Sequence, residues 1–463
     1  MPLDRSGVVP GSVRLRAVRI PSRNPYRPPL VGLTGGPGQA GVPFASTYEF
    51  LLPTAGRDLV LLDQRGTGAS GLLRCPSLER DITTGTQTAV GRCGRRLGAR
   101  RSFYTSADSA DDIEALRVRL GVPQIALYAV SYGTRVAVEY ARRYPQRVER
   151  MILDSAIGPD APDPLGRDTL EAVGRVVTTV CRIGCGGADE HPVSDLARLV
   201  PRLRRAPIRR VVRRGSRRTT VRVGADDLLG LLVSSDQDPD LMRRIPPAVR
   251  AALGHNNGPL VRLKLSLVGL DQPGDRISEF SPAVYVATTC EESTLAWDPA
   301  ASTRTRRLQA RAALAGMPTS AFAPFDRTAG LNFGLLPLCG AWPARERVVA
   351  PPPPLPTSVA TLVLAGDLDL RTPLENARRL ARALAGRVVV EHGVGHQVLG
   401  ADFNGCGAPA IEAFLAKRPL PTCRRDATIG VSSGSARARV RSARSALVLF
   451  GDTVADRANR LRR

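Results

Sequence analysis

Lysine, histidine and aromatic residues are scarce in this chain of 463 residues. It has two lysines, four histidines and 4% aromatic residues, against 43% hydrophobic residues overall. No segment approaches the roughly 18 consecutive apolar residues of a membrane helix. The charged N-terminus also lacks the apolar core of a signal peptide. We therefore expect a soluble globular protein with no transmembrane segment, and we find no signal peptide in this sequence.

The formal net charge is +24, and 64 of the 66 basic residues are arginine. Nucleic-acid binding is indicated when such cations cluster and alternate with aromatic residues. Here the arginines are spread along the whole chain and do not alternate with aromatic residues. We therefore predict no nucleic-acid partner. The sequence does not predict an oligomeric state.

Eight cysteines fall into four pairs of neighbours along the chain: Cys75 and Cys93, Cys181 and Cys185, Cys290 and Cys339, Cys406 and Cys423. An even number indicates disulfides, although sequence cannot choose among the roughly one hundred pairings that eight cysteines allow. A zinc site at Cys181, Cys185 and His191 lacks a fourth ligand at suitable spacing. Because disulfides form in oxidising compartments, we predict a secreted or cell-envelope protein without a metal.

Short apolar runs alternate with helical segments over the first third of the chain. Strands are predicted at 30–33, 59–62, 125–130 and 148–153, and helices at 108–120 and 133–144, the first with a capping box at Thr105 and Asp108. Uniformly apolar strands are typical of parallel sheets that helices cover on both faces. The pattern therefore predicts a βαβ architecture.

The strand and helix alternation is lost after about residue 158 and resumes after a proline-rich connector near residue 351. Between them the sequence predicts helices at 170–182, 195–200 and 304–314 and an arginine-rich hairpin at 213–222. Strands at 358–364 and 387–390 then flank a helix at 373–384. We predict a core in two parts, 1–158 and 351–425, a largely helical insertion, 159–350, and a basic tail, 426–463, with one apolar run at 446–450.

A buried strand that runs straight into Ser131 and then into a helix predicts a nucleophile turn. The turn needs small neighbours so that the hydroxyl projects above the carboxyl edge of the sheet, and Ala129 and Gly133 flank it here. Ala129 is larger than the commoner glycine and slightly crowds the turn. The alternative interpretation is that Ser131 only caps the helix.

A serine nucleophile needs a base, and two of the four histidines follow the strand at 387–390. We favour His396, which lies in a glycine-rich loop, over His392 at the strand end. The orienting acid is expected on the loop before the helix at 373, where we favour Asp369 and keep Asp367 as the alternative. The run from Thr372 to Glu375 predicts a capping box for that helix.

Backbone donors for an oxyanion are expected at Tyr132 and at Gly36, in the glycine-rich loop after the first strand. The same loop also allows another interpretation, a dinucleotide-binding site. Residues 36–41 fit the fingerprint of such a site, and Asp63 ends the next strand. The residues after the glycines make a poor helix start, and Asp63 leads into a tight turn. We therefore predict no cofactor.

Five motifs in order resemble the α/β-hydrolases of the tripeptidyl aminopeptidase and prolyl aminopeptidase type: TGGPG at 34–38, DQRGTGAS at 63–70, VSYGT at 130–134, GDLDLRTP at 366–373 and GH at 395–396. CEE at 290–292 and CGAWP at 339–343 extend the resemblance. It implies an α/β-hydrolase fold, mostly parallel with helices on both faces and interrupted by a helical cap. It also implies a triad of Ser131, Asp369 and His396. Thr34 stands where relatives often carry histidine.

The resemblance implies secreted or envelope bacterial hydrolases that remove short peptides or proline from free N-termini. An aminopeptidase needs a carboxylate for the substrate amine, and we hypothesise that Glu291 or Glu292 serves this role. Because the family includes esterases, an ester hydrolase acting on small molecules with the same triad is the alternative function. A non-catalytic binding protein of this fold is the third.

Overall fold

The structure is a computed structural model that describes residues 1–22, 27–80, 86–160, 163–185, 191–214, 217–270, 277–347, 352–401 and 405–423. The predicted apolar run at 446–450 lies outside the described residues. Within them, nine strands are β1 Arg16–Ile20, β2 Leu30–Leu33, β3 Leu59–Asp63, β4 Ile125–Val130, β5 Val148–Asp154, β6 Ile208–Arg214, β7 Arg217–Val223, β8 Ala360–Gly366 and β9 Arg387–Glu391.

The helices of the first part of the chain are α1 Ala45–Leu51, α2 Pro76–Arg80, α3 Thr86–Leu97, α4 Ser106–Leu120 and α5 Tyr132–Arg143. Those that follow β5 are α6 Arg167–Gly184, α7 Pro192–Arg205, α8 Ala225–Ser234, α9 Pro239–Arg243, α10 Ile245–Leu253, α11 Gly258–Leu270, α12 Pro282–Glu292, α13 Thr303–Ala315, α14 Arg327–Phe333 and α15 Leu336–Cys339. After β8 come α16 Leu374–Ala383, α17 Val398–Ala401 and α18 Gly407–Leu415.

Seven of the described strands form one sheet in the order β1-β3-β2-β4-β5-β8-β9. All neighbours are parallel except β1, which pairs antiparallel with β3 at the edge. Side chains of β4 alternate between two cores: Leu127 and Ala129 pack on one face, and Tyr128 and Val130 on the other. Helices such as α4 and α5 cover the first face and α18 the second, which explains why the strands are apolar throughout.

The chain leaves the sheet after β5 and returns at β8, which is the strand next to β5 in the sheet. The intervening helices pack around one large core that also takes in buried residues from the first part of the chain, including Cys75 and Phe103. β6 and β7 form a separate two-stranded hairpin, as predicted. The exact domain limits drawn from the sequence remain a prediction.

Most predicted elements are confirmed within a few residues, including the capping box of Thr105 and Asp108 on α4. The capping box predicted at Thr372 is wrong. The α16 helix begins at Leu374 with Pro373 before it, and the hydroxyl of Thr372 donates instead to Asp369 Oδ2 at 2.8 Å. Because the helix begins one residue later than predicted, Pro373 rather than Thr372 occupies the N-cap position, and proline has no side-chain oxygen to cap the helix.

Four disulfides join each cysteine to its neighbour in the sequence: Cys75 to Cys93, Cys181 to Cys185, Cys290 to Cys339 and Cys406 to Cys423. Cys181 and Cys185 are therefore oxidised and do not serve as zinc ligands. Such a set of disulfides suggests an extracellular protein. Across the described residues, no helix is both long and apolar enough to cross a membrane.

Candidate active site

Ser131 occupies the sharp turn between β4 and α5. Its backbone angles are φ 53° and ψ −122°, outside the regions that non-glycine residues favour, and among the described residues its side chain caps no N–H of α5. Gly133 is required two residues later, because a Cβ there would lie 2.5 Å from the carbonyl oxygen of Leu33. The strained turn and the uncommitted hydroxyl favour a nucleophile over a helix cap.

The glycine-rich loop after β2 lies against Ser131. A Cβ on Gly35 would lie 3.0 Å from Ser131 Cβ and 3.3 Å from the carbonyl oxygen of Val130, so a side chain there would crowd the serine. Gly36 and Tyr132 line the same cavity as Ser131, which encloses about 260 Å³. The two predicted oxyanion donors therefore border the cavity of the predicted nucleophile.

His396 also lines this cavity and is paired with Asp369. His396 Nδ1 and Asp369 Oδ2 are 2.9 Å apart, and both side chains are almost fully buried. The backbone N–H groups of Arg371 and Thr372 donate to Asp369 Oδ1 at 2.8 and 2.9 Å. These donors fix the carboxylate, and the carboxylate in turn orients the imidazole with Nε2 free to act as a base.

The charges of this pair are stabilised by each other. Burial raises the pKa of Asp369, but the charge and hydrogen bond of His396, followed by the bonds from Thr372, outweigh it and leave that pKa below its ordinary value. Burial likewise lowers the pKa of His396, and the opposing effects of Asp369 and Asp236 leave it above its ordinary value. The arrangement favours an imidazole that accepts a proton.

The alternative base and the alternative acid pair with each other instead. His392 Nδ1 lies 2.9 Å from Asp367 Oδ2, and the N–H of Gly393 donates to Asp367 Oδ1 at 2.8 Å. Neither His392 nor Asp367 is among the residues that line the cavity. The contacts of this second pair are those of a turn at the ends of β8 and β9.

Sequence reasoning missed Asp154, the fully buried last residue of β5. Its Oδ1 accepts from the N–H of Val398 at 2.8 Å, and its Oδ2 accepts from the N–H of Leu399 at 3.0 Å and from the hydroxyl of Tyr128 at 2.8 Å. The carboxylate therefore holds the start of α17, directly after His396. A carboxylate at the carboxyl end of a strand beside the nucleophile strand was the available signal.

Sequence reasoning also missed Asp236, in a 3₁₀ turn at Ser235–Gln237 within the insertion. One ligand-type atom from each of Asp236, Asp369 and His396 lies within 4.8 Å of the others. Both carboxylates are already engaged, Asp369 by the imidazole and Asp236 by the Arg371 guanidinium at 3.0 Å. These contacts favour a hydrogen-bonded cluster over a metal centre. No sequence signal near Asp236 connects it to the histidine loop.

The two cap glutamates have different surroundings. Glu292 lines the cavity, and its carboxylate accepts from the Ser106 N–H and from the Tyr132 hydroxyl at 3.3 Å; Arg135 Nε forms an ion pair with it at 3.0 Å. Burial raises its pKa despite the nearby Arg135 charge. Glu291 does not line the cavity.

Glu291 instead points into the protein. It accepts from Trp342 Nε1 at 2.8 Å and from the hydroxyl of Ser102 at 3.1 Å, and Arg101 lies 3.3 Å away. These partners give Glu291 the surroundings of a structural residue that ties α12 to the segments around it.

The carboxylate of Asp63, which a dinucleotide site would use for a ribose, is already bonded to the backbone. Its Oδ1 accepts from the N–H groups of Gly41 and Val42, and its Oδ2 accepts from that of Ala69. The glycine loop leads into a 3₁₀ turn at Val42–Phe44 rather than directly into a long helix. The arrangement lacks the open strand end and helix start of a dinucleotide site.

Two family models match the chain. A model described as alpha/beta hydrolase fold matches residues 28–178, and one described as TAP-like protein matches residues 327–428. The first match contains the turn at Ser131 and the glycine-rich loop, and the second contains the loops of Asp369 and His396. The intervening segment, which carries Asp236 and Glu292, lies between the two matches.

Curated relatives include the serine protease Hip1 of Mycobacterium tuberculosis, 32% identical over 35% of this chain and 35% of the relative. The tripeptidyl aminopeptidase of Streptomyces coelicolor is 26% identical over 34% of each chain. A probable proline iminopeptidase of the same species is 34% identical over 28% of this chain and 33% of the relative. The matched part thus spans about a third of each relative.

Solved structures to which this chain is similar include the proline iminopeptidase of Mycobacterium smegmatis, at 15% identity and a TM-score of 0.40, covering 88% of this chain and 96% of that one. A thermophilic esterase from Thermogutta terrifontis has 18% identity and a TM-score of 0.37, covering 89% and 96%. The strand order and the match to the first family model show the α/β-hydrolase fold class.

Proposed function

We propose that this chain, two segments of which match the alpha/beta hydrolase fold and TAP-like protein models, is a serine exopeptidase that releases short peptides or proline from free N-termini. The observation that carries the proposal is the buried pair of His396 and Asp369 at the cavity that the strained Ser131 also lines. The likeness to a tripeptidyl aminopeptidase and to a probable proline iminopeptidase supports the peptide substrate.

In the proposed reaction, Ser131 Oγ attacks the scissile carbonyl carbon while His396 Nε2 takes the hydroxyl proton. The carbonyl oxygen becomes an oxyanion, which the backbone N–H groups of Tyr132 and Gly36 stabilise. His396 then protonates the departing amine as the C–N bond breaks, leaving an acyl-enzyme. Water, deprotonated by His396, attacks the ester carbonyl carbon, and His396 returns this proton to Ser131 Oγ as the ester C–O bond breaks and the acyl product leaves as a carboxylic acid. Asp369 holds Nδ1–H and stabilises the imidazolium throughout.

Glu292 is the proposed anchor for the substrate α-amine. It borders the cavity, its side chain is only 9% exposed, and a carboxylate has acceptor sites beyond those used by its present partners. An ammonium would also stabilise the charged form of a group whose pKa burial raises. Glu291, which faces Trp342 and Arg101, is the weaker of the two candidates.

Ester hydrolysis is the second candidate function, and one observation favours it. Arg135 and the hydroxyl of Tyr132 already engage Glu292, so its negative charge has a partner without any substrate amine. An esterase would use Ser131 and His396 in the same way and would need no anchor for an ammonium group.

Turnover of a substrate panel separates these functions. The panel contains Pro-, Ala-Ala-Pro- and N-blocked Ala-Ala-Pro-anilides with short acyl esters, and Ser131→Ala is the control. Cleavage of anilides with free N-termini only, lost in the control, supports the exopeptidase. Turnover of esters alone supports the esterase. Failure of a fluorophosphonate to label Ser131 in folded protein would contradict both and favour a binding protein.

Glu292→Gln tests the amine anchor. We expect kcat/KM for free N-termini to fall about 10- to 100-fold, as expected when a hydrogen bond to a charged group is lost, with little change for acyl esters. Glu291→Gln is the matched control, since it alters the neighbouring buried carboxylate that does not line the cavity. An unchanged preference for free over blocked substrates in Glu292→Gln would eliminate this role.

Secretion and bacterial origin are part of the same proposal. The four disulfides support export to an oxidising compartment. Mass spectrometry of native protein before and after reduction tests the premise: a mass gain of one hydrogen pair per disulfide is expected, and no gain would contradict it.

A further inference from the structure

The inserted segment contacts the loop that carries His396 through its backbone. The N–H of His396 donates to the carbonyl oxygen of Asp236 at 3.1 Å. A Cβ on Gly395 would lie 1.6 Å from that same oxygen. Only glycine therefore lets the histidine loop and the turn of Asp236 approach each other this closely. The position of the histidine loop therefore depends on the 3₁₀ turn of the insertion.

The Asp236 side chain lies in the same cluster as the triad pair. It is 1% exposed, its Oδ1 accepts from Arg371 Nε at 3.0 Å, and its Oδ2 accepts from the N–H of Leu370 at 3.4 Å. Arg371 also donates to the carbonyl oxygen of Val233 at 3.3 Å. The loop that supplies Asp369 is thus bonded to the insertion by both backbone and side-chain contacts.

We infer that Asp236 is a positioning residue for the base, and that its carboxylate and Arg371 together set the electrostatic surroundings of the imidazole. The inference rests on the proposed role of His396. It makes the insertion part of the catalytic machinery as well as a wall of the cavity, because the base is held from the core by Asp369 and from the insertion by Asp236. A hydrolase core without the docked insertion would have a misplaced base.

Three charged groups act on the imidazole, and their signs differ. Asp369 and Asp236 raise the pKa of His396, Arg371 lowers it, and burial, the largest single effect, lowers it as well. The net result is a pKa above the ordinary value. The acid limb of the kcat/KM profile, which reports loss of the base by protonation, is therefore expected above about pH 6.5.

Asp236→Asn keeps the backbone carbonyl and the side-chain shape but removes one negative charge. The pKa of His396 should then fall, and the acid limb should move to lower pH by roughly half a unit to one unit, less than an unopposed charge would give because Arg371 remains. Asp195→Asn is the matched control. Asp195 is a buried aspartate of the same insertion, and within the described part of the chain its carboxylate pairs with Arg198 and Arg250 rather than with the histidine loop.

The experiment measures kcat/KM against pH and, independently, the NMR titration of histidine labelled with ¹³C in the ring. The full chain has four histidines, so His396→Gln identifies the signal of interest. A lower His396 pKa in Asp236→Asn and an unchanged one in Asp195→Asn support the inference. An unchanged His396 pKa in both overturns it. Because the titration needs no turnover, this outcome is distinct from failure of the proposed function, which Ser131→Ala and fluorophosphonate labelling test.

Gly395→Ala tests the backbone contact separately. The added methyl group must displace either the loop of His396 or the turn of Asp236, so we expect kcat to fall at least about 10-fold with KM little changed. Circular dichroism checks that the core stays folded. Wild-type kcat in the folded variant would overturn the positioning role, and Asp236→Asn still tests it if this variant does not fold.

Discussion

Asp154→Asn tests whether the buried carboxylate at the end of β5 holds the start of α17. Asparagine has nearly the same shape, but its amide nitrogen cannot accept a hydrogen bond. The two carboxylate oxygens each accept one backbone N–H, from Val398 and from Leu399. Whichever way the amide turns, one of these N–H groups faces another donor.

The expected loss in the free energy of unfolding follows from the one backbone N–H that is left without an acceptor. A buried donor left without an acceptor costs about 1–3 kcal/mol. Replacing the charged acceptor by a neutral one also weakens the remaining hydrogen bonds. Burial, however, raises the pKa of Asp154, which means that the charged carboxylate is itself unfavourable at this position. Because these two effects oppose each other, we expect the free energy of unfolding to fall by about 1–3 kcal/mol.

Urea unfolding followed by circular dichroism measures the loss, and hydrogen exchange of peptides covering 394–401 locates it. Tyr128→Phe is the control, since it removes one bond to Asp154 Oδ2 without disturbing either backbone N–H. It should cost about 0.5–1.5 kcal/mol and leave exchange in this segment unchanged. A change below about 0.5 kcal/mol in Asp154→Asn, with unaltered exchange, would refute the reasoning.

Three further predictions concern the triad, a buried ion pair and the nucleophile turn. Asp369→Asn should lower kcat by about 10³- to 10⁴-fold in steady-state kinetics, since an amide does not hold the required imidazole tautomer, and near-normal kcat would exclude it as the acid. Arg65→Met should cost about 3–5 kcal/mol in urea unfolding, because it removes the buried partner of Asp112 at 2.7 Å and leaves only Arg5 at 3.4 Å, and adding Asp112→Leu should restore part of the loss. Gly133→Ala should cost about 1–3 kcal/mol, because its Cβ would approach the carbonyl oxygen of Leu33, and an unchanged melting temperature would contradict this.

Strands at the centre of the sheet were predictable because both of their faces are buried. Ile125–Val130 is apolar at every position, and the structure places it between two cores. β1 was missed for the opposite reason. Its sequence, Arg-Ala-Val-Arg-Ile, is an exposed or half-buried edge strand whose pairing with β3 comes from a long-range register.

Candidate site residues were predictable where the chemistry is local. Ser131 follows a buried strand and precedes a helix, and His396 and Asp369 follow strands in glycine-rich or turn-forming segments, so each signal lies within a few residues. The capping box at Thr372 failed although its pattern is also local, because the helix begins at Leu374 and Pro373 occupies the N-cap position. A capping box requires the helix to begin at a particular residue, and a local pattern does not fix a helix start to within one residue.

The sequence alone determined the α/β architecture, the strand-to-helix turn at Ser131 and the short set of residues from which the proposed base and acid are drawn. These features depend on hydrophobic period, glycine placement and turn chemistry, which act over neighbouring positions. Only the tertiary structure decided that His396 pairs with Asp369 while His392 pairs with Asp367, since all four lie on adjacent loops. Only the tertiary structure also places Asp154 and Asp236 beside the segment that carries His396. Asp154 reaches it because β5 lies beside β8 in the sheet, and Asp236 reaches it because the insertion folds back over the carboxyl edge. Such contacts join residues more than a hundred positions apart, and they are set by strand order and packing rather than by any local pattern.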